Sequence, residues 1–401
     1  MTVPEPPARR PRVHVVADDL LFPTNSGGRV EELESTRALQ HAGADVSCTL
    51  MQREPVSESD ARRNREEFPD TVVLQRPGFA GSTLRHPFLP YQLSSRLFPD
   101  APRTLAQAPD VVIAHHEWAL PYARNLAQRH GARLILRSHN DELQYLRSLR
   151  NPAPFGVRRA YYAAELARAT RAFRPDFYRG VELALTISDA DQRFYRDRGV
   201  PVATMPPSLG LDRAEPVAEV PEGRRIVFAG SMDMPYVVAG LRWFVTEVLP
   251  RVAAQVPEVR FQVMGRRAPA ALADELGASP HVEFLGEVDD TLPYLRAARV
   301  FVNPVFEGSG LNMKMGPPSA LGIPIVTTPV GARGLGDLST LFDTTDEAAG
   351  FARHCVGHLA GGEAWRTLSR RLVAASESYS RDAVAQRYRE VIASPHARPA
   401  S

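Results

Sequence analysis

The chain has 401 residues, of which 44% are apolar and 23% charged, and its net charge is +2. Those proportions describe an ordinary globular protein long enough for two or three domains. With charge so nearly balanced, the overall composition points to no nucleic-acid or acidic-surface partner. Forty-seven arginines stand against a single lysine, Lys314, and 46 acids offset them, so the bias is compositional rather than a basic patch. Two cysteines, Cys48 and Cys355, lie far apart in sequence. They form no disulfide framework and suit a reducing cytoplasm. The opening MTVPEPPARRPR lacks the apolar stretch of a secretory leader and reads as a short arm. No apolar run approaches the roughly 20 residues of a membrane span. The expectation is a cytoplasmic protein without a span, with a peripheral membrane contact left open.

Short apolar runs alternate with helical patterns, the mark of a parallel sheet with crossover helices. Val13–Ala17 reads as the first strand, and the turn Asn25-Ser-Gly-Gly-Arg opens a helix to His41. Asp45–Leu50, Thr71–Gln75, Val111–His115 and Arg133–Ser138 read as strands. Between Gln52 and Asp110 the pattern is least legible: Arg62-Arg-Asn-Arg-Glu-Glu reads as a solvated charge run. Phe79–Phe98 reads as an irregular insertion, either an acceptor-lining segment or a structural loop. Val157–Phe177 is expected as one long helix, Leu183–Ser188 as a strand with Asp189 as N-cap after it, and Val202–Met205 as the last strand of this half.

The segment 207–222 is rich in Pro, Gly and Glu and reads as a linker between an N-terminal domain, 1–206, and a C-terminal domain, 223–378. The pattern then restarts. Arg225–Ala229 is a strand and Val237–Val256 a helix; Arg260–Gly265, Val282–Leu285, Val300–Pro304 and Pro324–Thr328 are further strands. Asp289 or Asp290 is the expected cap of a helix from Thr291. Val384, Tyr388 and Val391 recur at helical spacing in a tail helix within 379–401.

Ligands of doubly wound sheets bind at the carboxyl ends of the strands, and the polar clusters of this chain fall there. Gly27 and Gly28 follow the first strand, where they would let the backbone approach a phosphate or sugar; a tight strand-to-helix connection is the other reading. His115-His116-Glu117-Trp118 follows the strand from Val111. A metal needs ligands beyond two adjacent histidines, so an acceptor-binding or sugar-binding wall is the better functional reading, against a buried imidazole and a core indole. Arg137-Ser-His139-Asn140 follows the next strand. In the second half come Gly230-Ser231, then Gly265-Arg266, then Gly286. The most specific segment is Glu307-Gly308-Ser309-Gly310-Leu311-Asn-Met-Lys314: a glycine-rich loop leading into a helix cradles phosphate with its amides, and the one lysine sits inside it.

This ordered set resembles the retaining glycosyltransferases of family 4. The matching pieces are Gly27-Gly28-Arg29, Arg137-Ser-His-Asn140, Phe228-Ala-Gly-Ser-Met232, Arg242-Trp-Phe, Val282-Glu-Phe-Leu-Gly286, Pro293-Tyr-Leu, Glu307-Gly-Ser-Gly and Gly322-Ile-Pro-Ile-Val-Thr-Thr-Pro-Val-Gly-Ala-Arg-Gly, over roughly residues 12–392. The resemblance implies an α/β GT-B fold: two Rossmann-like doubly wound domains facing across a cleft, the first for acceptor and the second for nucleotide sugar, with the tail helix crossing back to the first.

It implies an enzyme, a hexosyltransferase type of retaining glycosyltransferase. Its donor would be a UDP, GDP or dTDP sugar; its acceptor a small molecule, as in natural-product biosynthesis, or an envelope precursor. No metal or other cofactor is implied beyond the nucleotide-sugar co-substrate. His139 and Glu307 match the family's active-site histidine and first motif glutamate, as catalytic residues. Gly27, Gly28, Gly230, Ser231, Arg266, Gly286, Gly308, Ser309, Gly310, Leu311 and Lys314 fall on the donor side. His115, His116, Glu117, Trp118 and Asn140 fall on the acceptor side. One departure stands out: the family's second glutamate, which binds ribose, is Pro317 here. That departure keeps open a GT-B enzyme with an unusual donor, a sugar-nucleotide epimerase, or a non-catalytic GT-B partner protein. Oligomeric state is left open.

Overall fold

The computed structural model describes residues 9–24, 27–53, 55–98, 105–139, 141–150, 156–209, 215–232, 234–307 and 312–393. The chain divides into two compact units: Met1–Ser208 with Arg381–Ser401, and Leu209–Ser380.

The N-terminal unit is built on seven parallel strands: β1 (Arg12–Ala17), β2 (Asp45–Gln52), β3 (Thr71–Gln75), β4 (Val111–His115), β5 (Arg133–Arg137), β6 (Leu183–Thr186) and β7 (Val202–Thr204). Their order across the sheet is β3-β2-β1-β4-β5-β6-β7. Strands β1 and β4 are almost continuous apolar runs because helices cover both faces of the sheet. Val13 and Val15 point into one core layer and Val16 into the other, as the period of two requires. The covering helices are α1 (Gly27–His41), α2 (Glu58–Glu67), α3 (Phe79–Arg85), α4 (Tyr91–Ser94), α5 (His116–His130), α6 (Glu142–Arg150), α7 (Val157–Ala172) and α8 (Asp189–Arg196).

The second unit repeats the design with six parallel strands: β8 (Arg225–Ala229), β9 (Arg260–Met264), β10 (Val282–Gly286), β11 (Val300–Asn303), β12 (Ile325–Thr327) and β13 (Asp343–Thr344), ordered β10-β9-β8-β11-β12-β13. Its helices are α9 (Pro235–Trp243), α10 (Leu249–Ala253), α11 (Ala270–Gly277), α12 (Leu292–Arg296), α13 (Gly316–Leu321), α14 (Gly336–Ser339), α15 (Ala348–Ala360) and α16 (Glu363–Ser376). The tail helix α17 (Arg381–Ala393) returns to the N-terminal unit and packs on α1. Both sheets are the doubly wound parallel sheets that the alternating pattern predicts. Among the described residues no helix is long and apolar enough to cross a membrane.

Several elements differ from their sequence expectation, each for a local reason. The helix expected over Val157–Phe177 stops at Ala172, and Pro175 begins a short 3-10 turn; the residue before a proline is pushed out of the helical region. The helix expected over Val237–Val256 is broken by a π turn at Phe244–Val248. Pro250 has no N–H to reach the carbonyl four residues back, and the wider turn absorbs the mismatch. Ser188, not Asp189, precedes α8, and its hydroxyl donates to Asp191 Oδ2 at 2.7 Å. Thr291 precedes α12, while Asp290 caps it from one residue further back, accepting from Leu292 N at 2.9 Å.

The charge run is helix α2, and its Asn64 is buried. That amide accepts from the N–H groups of Leu21 and Phe22 at 3.1 Å and donates to Phe22 O, so it holds the loop after β1. The insertion Phe79–Phe98 contains α3 and α4. Within the segment expected as a linker, Val217 N donates to Leu321 O at 2.9 Å and Leu209 is buried under Gly316.

Candidate functional site

The strand order of the N-terminal sheet reverses between β1 and β4, and a crevice opens at such a switch point. The side chains at the carboxyl ends there form a buried polar cluster. Register sets His115 opposite Arg137, and His139 lies just beyond. His115 Nδ1 and His139 Nε2 are 2.8 Å apart. The other ring nitrogen of His139 lies 2.6 Å from Glu31 Oε2, poorly aligned for a hydrogen bond. Glu31 Oε1 accepts from the Arg137 guanidinium at 2.5 and 3.1 Å. His139 is 7% exposed, and both its nitrogens face protein groups.

His116 starts α5 with φ of 64°, in the left-handed region that a side chain with a Cβ rarely adopts. Its ring stacks over His139, with centroids 4.1 Å apart and planes 13° from parallel. Nδ1 lies 2.7 Å from Glu142 Oε1, and Nε2 lies 3.8 Å from Glu32 Oε1. Asp18, just past β1, accepts from Arg96 at 2.8 Å. Glu117 accepts from the Tyr195 hydroxyl, which is also 2.6 Å from Ser138 Oγ.

Burial and charge drive these groups apart in proton affinity. Burial pushes His139 down to about 4, against the pull of Glu31, and holds His115 well below the usual imidazole value. For His116 burial is outweighed by Asp18 and by the bond to Glu142, which carry it up to about 9. Glu31 stays well below the usual carboxylate range: burial opposes ionisation, but Arg137 and His139 outweigh it. Burial and Asp18 hold Glu32 well above that range, and burial and Glu142 raise Glu117 to about 8. At neutral pH a neutral histidine pair thus lies under an imidazolium, between ionised and protonated acids. Such divergence is typical of sites that move protons or charge, and also of structural ion networks.

Glu31, His115 and His139 bring three ligand-type atoms within 4.8 Å of one another, and so do Glu32, His116 and His139. The donor types suit a transition metal. A divalent ion there would lie beside the Arg137 guanidinium and the His116 imidazolium, both repulsive, although Glu31 Oε2, His115 Nε2 and His139 Nδ1 are buried without a hydrogen-bond partner among the described residues.

The remaining acceptor-side residues divide. Trp118 is 4% exposed and packs against Phe173, with centroids 5.0 Å apart; it belongs to the core and presents no open wall. Glu117 is equally buried. Asn140 lies outside the described residues. Gly27 and Gly28 are exposed at the first turn of α1, with open space where a Cβ of Gly28 would stand. Glu31, Glu32, Asp18, Glu142 and Tyr195 were not singled out from sequence. The available signal was the acidic pair Glu31-Glu32, placed one turn after the glycines on a helix that must bury a face.

In the C-terminal unit three neighbouring strand ends carry glycine, and their backbones interlock. Gly230 N donates to Met264 O at 3.1 Å, Gly265 N to Gly286 O at 2.7 Å and Met232 N to Arg266 O at 2.9 Å. A Cβ on Gly265, at φ of 148°, would lie 1.7 Å from Gly230 O, so only glycine permits this approach. Lys314 is partly buried beside this rim. Its Nζ lies 5.1 Å from the Phe228 ring centroid and 3.7 Å from where a Cβ of Gly230 would be. Burial lowers it to about 8, and among the described residues no carboxylate pairs with it.

Ser231 lies on the same rim, and Arg266 is 3.9 Å from Glu287. Glu307 is exposed beside Phe306, whose ring meets Trp243 edge-on at 4.8 Å. Gly308, Ser309, Gly310 and Leu311 lie outside the described residues. Pro317 and Pro318 occupy the first turn of α13, which therefore lacks two of its N–H donors.

Two doubly wound parallel units, the second with an ammonium at its strand ends that no carboxylate pairs among the described residues, are the architecture of the GT-B class. Residues 26–207 match the glycosyl transferase 4-like domain and residues 223–360 match glycosyl transferases group 1. The chain belongs to this family of retaining, nucleotide-sugar-dependent enzymes. An uncharacterised 44.6 kDa protein in the cps region of Klebsiella pneumoniae is 23% identical over 359 residues, covering 86% of this chain and 90% of that one. Among solved structures, the sucrose-phosphate synthase of Thermosynechococcus elongatus superposes with a TM-score of 0.66 at 16% identity, covering 96% of this chain and 100% of that one. HepE of Anabaena, in complex with UDP and glucose, gives 0.63 at 15% identity, covering 95% and 99%.

Proposed function

We propose that this glycosyltransferase moves a hexosyl unit from a UDP-type sugar to an envelope-glycan precursor, with the donor diphosphate held by Lys314 and the Gly230 rim. Lys314 carries the reading. A partly buried ammonium with no carboxylate partner among the described residues, beside a strand end without a Cβ, is electrostatically incomplete, and a diphosphate would complete it. Two observations favour the particular donor and acceptor: the similar fold of HepE binds UDP and UDP-glucose, and the Klebsiella relative lies in a cps region.

Departure of the nucleotide places negative charge on the diphosphate and positive charge on the sugar ring. In this reading Lys314 stabilises the first, and Glu307 bonds the sugar hydroxyls. The leaving phosphate accepts the acceptor's proton on the same face, which gives retention. His139, neutral and fixed by Glu31 and His115, supports the acceptor side. Pro317 cannot accept a ribose hydroxyl, which removes a charged hydrogen bond worth about 1.5–3 kcal/mol. Ribose is then held by other groups.

The test is calorimetric titration of the full chain with UDP, GDP, dTDP and ADP, with and without magnesium. UDP alone should bind, independently of magnesium, and Lys314→Ala should weaken it about tenfold or more. Tight binding of another nucleotide would reassign the donor, and unchanged affinity in Lys314→Ala would remove the diphosphate from this lysine. Glu307→Ala should abolish turnover at an unchanged melting temperature, since the side chain is exposed. Near wild-type rates would take Glu307 out of the mechanism.

A further inference from the structure

Residues 71–98 and 143–164 contain no aspartate or glutamate, in a chain that has 46 acids. At the average density those two stretches would hold about six. The structure brings them together. Phe79 of α3 packs between Tyr91 of α4 and Tyr161 of α7, with ring centroids 5.2 and 5.9 Å apart. The N–H of Tyr91 is tied to Glu165 of α7 at 2.7 Å.

On the segments that meet at this aromatic joint large apolar side chains face solvent: Phe79 is 50% exposed, Leu84 83%, Phe88 81% and Val157 89%. Val157 stands one turn before Tyr161 on the same face of α7. Arg85, Arg147 and Arg158 are exposed on the same segments. Large side chains so exposed cost solubility unless something covers them. The missing carboxylates say what: a cover that is itself negatively charged. Leucine, phenylalanine and valine enter the acyl boundary of a lipid layer, while arginines at the rim meet headgroup phosphates.

We propose that this face, formed by α3, the loop to α4 and the start of α7, docks the protein on an anionic lipid bilayer without spanning it. Helix α3 follows β3 and α6 follows β5, so both leave the carboxyl edge of a parallel sheet. That edge also carries His115, His116 and His139, and Glu142 of α6 holds His116. The bilayer would thus lie on the acceptor side, and an acceptor carried on a lipid would reach it from the membrane surface; this last step rests on the proposed function.

The test is co-sedimentation of the full chain, without nucleotide, with vesicles of phosphatidylcholine alone and of equimolar phosphatidylcholine and phosphatidylglycerol. The protein should pellet with the anionic vesicles, and high salt should release much of it. Leu84→Ser with Phe88→Ser, and separately Arg85→Glu with Arg158→Glu, should each lower partitioning about tenfold. Circular dichroism and UDP affinity measured without vesicles should stay unchanged. Failure to pellet, or variants that pellet like the wild type, would overturn the proposal. So would a dimer in sedimentation velocity that the Leu84/Phe88 variant dissolves, because a second copy would then be the cover. UDP titration without lipid judges the donor reading by itself, so the two can fail separately.

Discussion

Lys314 and His139 are both nitrogen bases removed from water, and their surroundings differ. Lys314 has only burial acting on it, which lowers it to about 8 while leaving it cationic at neutral pH. UDP affinity should therefore hold below about pH 8 and fall as pH rises through it; a flat profile by calorimetry to pH 9 would exclude Lys314 as the diphosphate contact. His139 is enclosed and neutral. Its proton affinity is depressed in the folded state, to about 4 from 6.5, so the unfolded chain takes up the proton first as pH falls. Stability is then fully present above pH 6.5 and is lost towards pH 4, by up to about 3 kcal/mol from this group.

His116 acts with the opposite sign. It is raised to about 9, so its contribution is present below 6.5 and is lost as pH rises through 9. Urea denaturation of wild type and His139→Gln across pH 4–7 reads the first effect, and the variant should show a shallower loss on acidification. Glu31→Gln should be costlier, because it leaves the Arg137 guanidinium buried without its anion. A loss of about 3–5 kcal/mol is expected. A loss below about 1 kcal/mol would mean that the cluster does not depend on this pair.

At the scale of elements, the tail helix α17 is part of the N-terminal core rather than an appendage. Val384, Ala385, Tyr388 and Ile392 are buried in one cluster with β1 and α1. Tyr388 bonds Ser35 at 2.5 Å, Arg381 pairs with Glu34 at 2.7 Å, and Arg133 donates to the carbonyls of Val391 and Ile392. Tyr388→Phe should cost about 1 kcal/mol and Tyr388→Ala about 3–5 kcal/mol, read by chemical denaturation. Equal small losses would mean that α17 is loosely held.

In the second unit the equivalent constraint is backbone against backbone. Gly265→Ala would force a methyl into Gly230 O and part the strand ends that flank Lys314. Weakened UDP binding is expected even where the unit still folds.

At the scale of the whole molecule, the strands were legible because buried parallel strands are continuous apolar runs, which a sequence shows directly. Element ends were less so. Pro175 and Pro250 were visible, but whether a proline stops a helix or is absorbed by a π turn depends on what packs around it. Two-residue β13 is too short for any period to show. The site divided in the same way. Lys314 and the glycine strand ends were readable, since glycine and an isolated lysine are chemically singular. The Glu31–Arg137–His139–His116 cluster was not, because its members come from α1, β5, the turn beyond β5 and the start of α5, and only the sheet's register brings them together.

Trp118 shows the limit from the other side: an indole beside two histidines suits a ligand wall or a core equally, and only packing against Phe173 decides. The carboxylate-free stretches were in the sequence throughout, yet they became a surface only when Phe79 met Tyr161. What the sequence determined by itself was the α/β architecture, the family and the residues suited to phosphate, because periodicity and residue chemistry are local. What only the tertiary structure decided was the charge state of the buried cluster, the exposure of the apolar face and the placing of Lys314 beside Phe228 and Gly230, because each depends on neighbours distant in the chain.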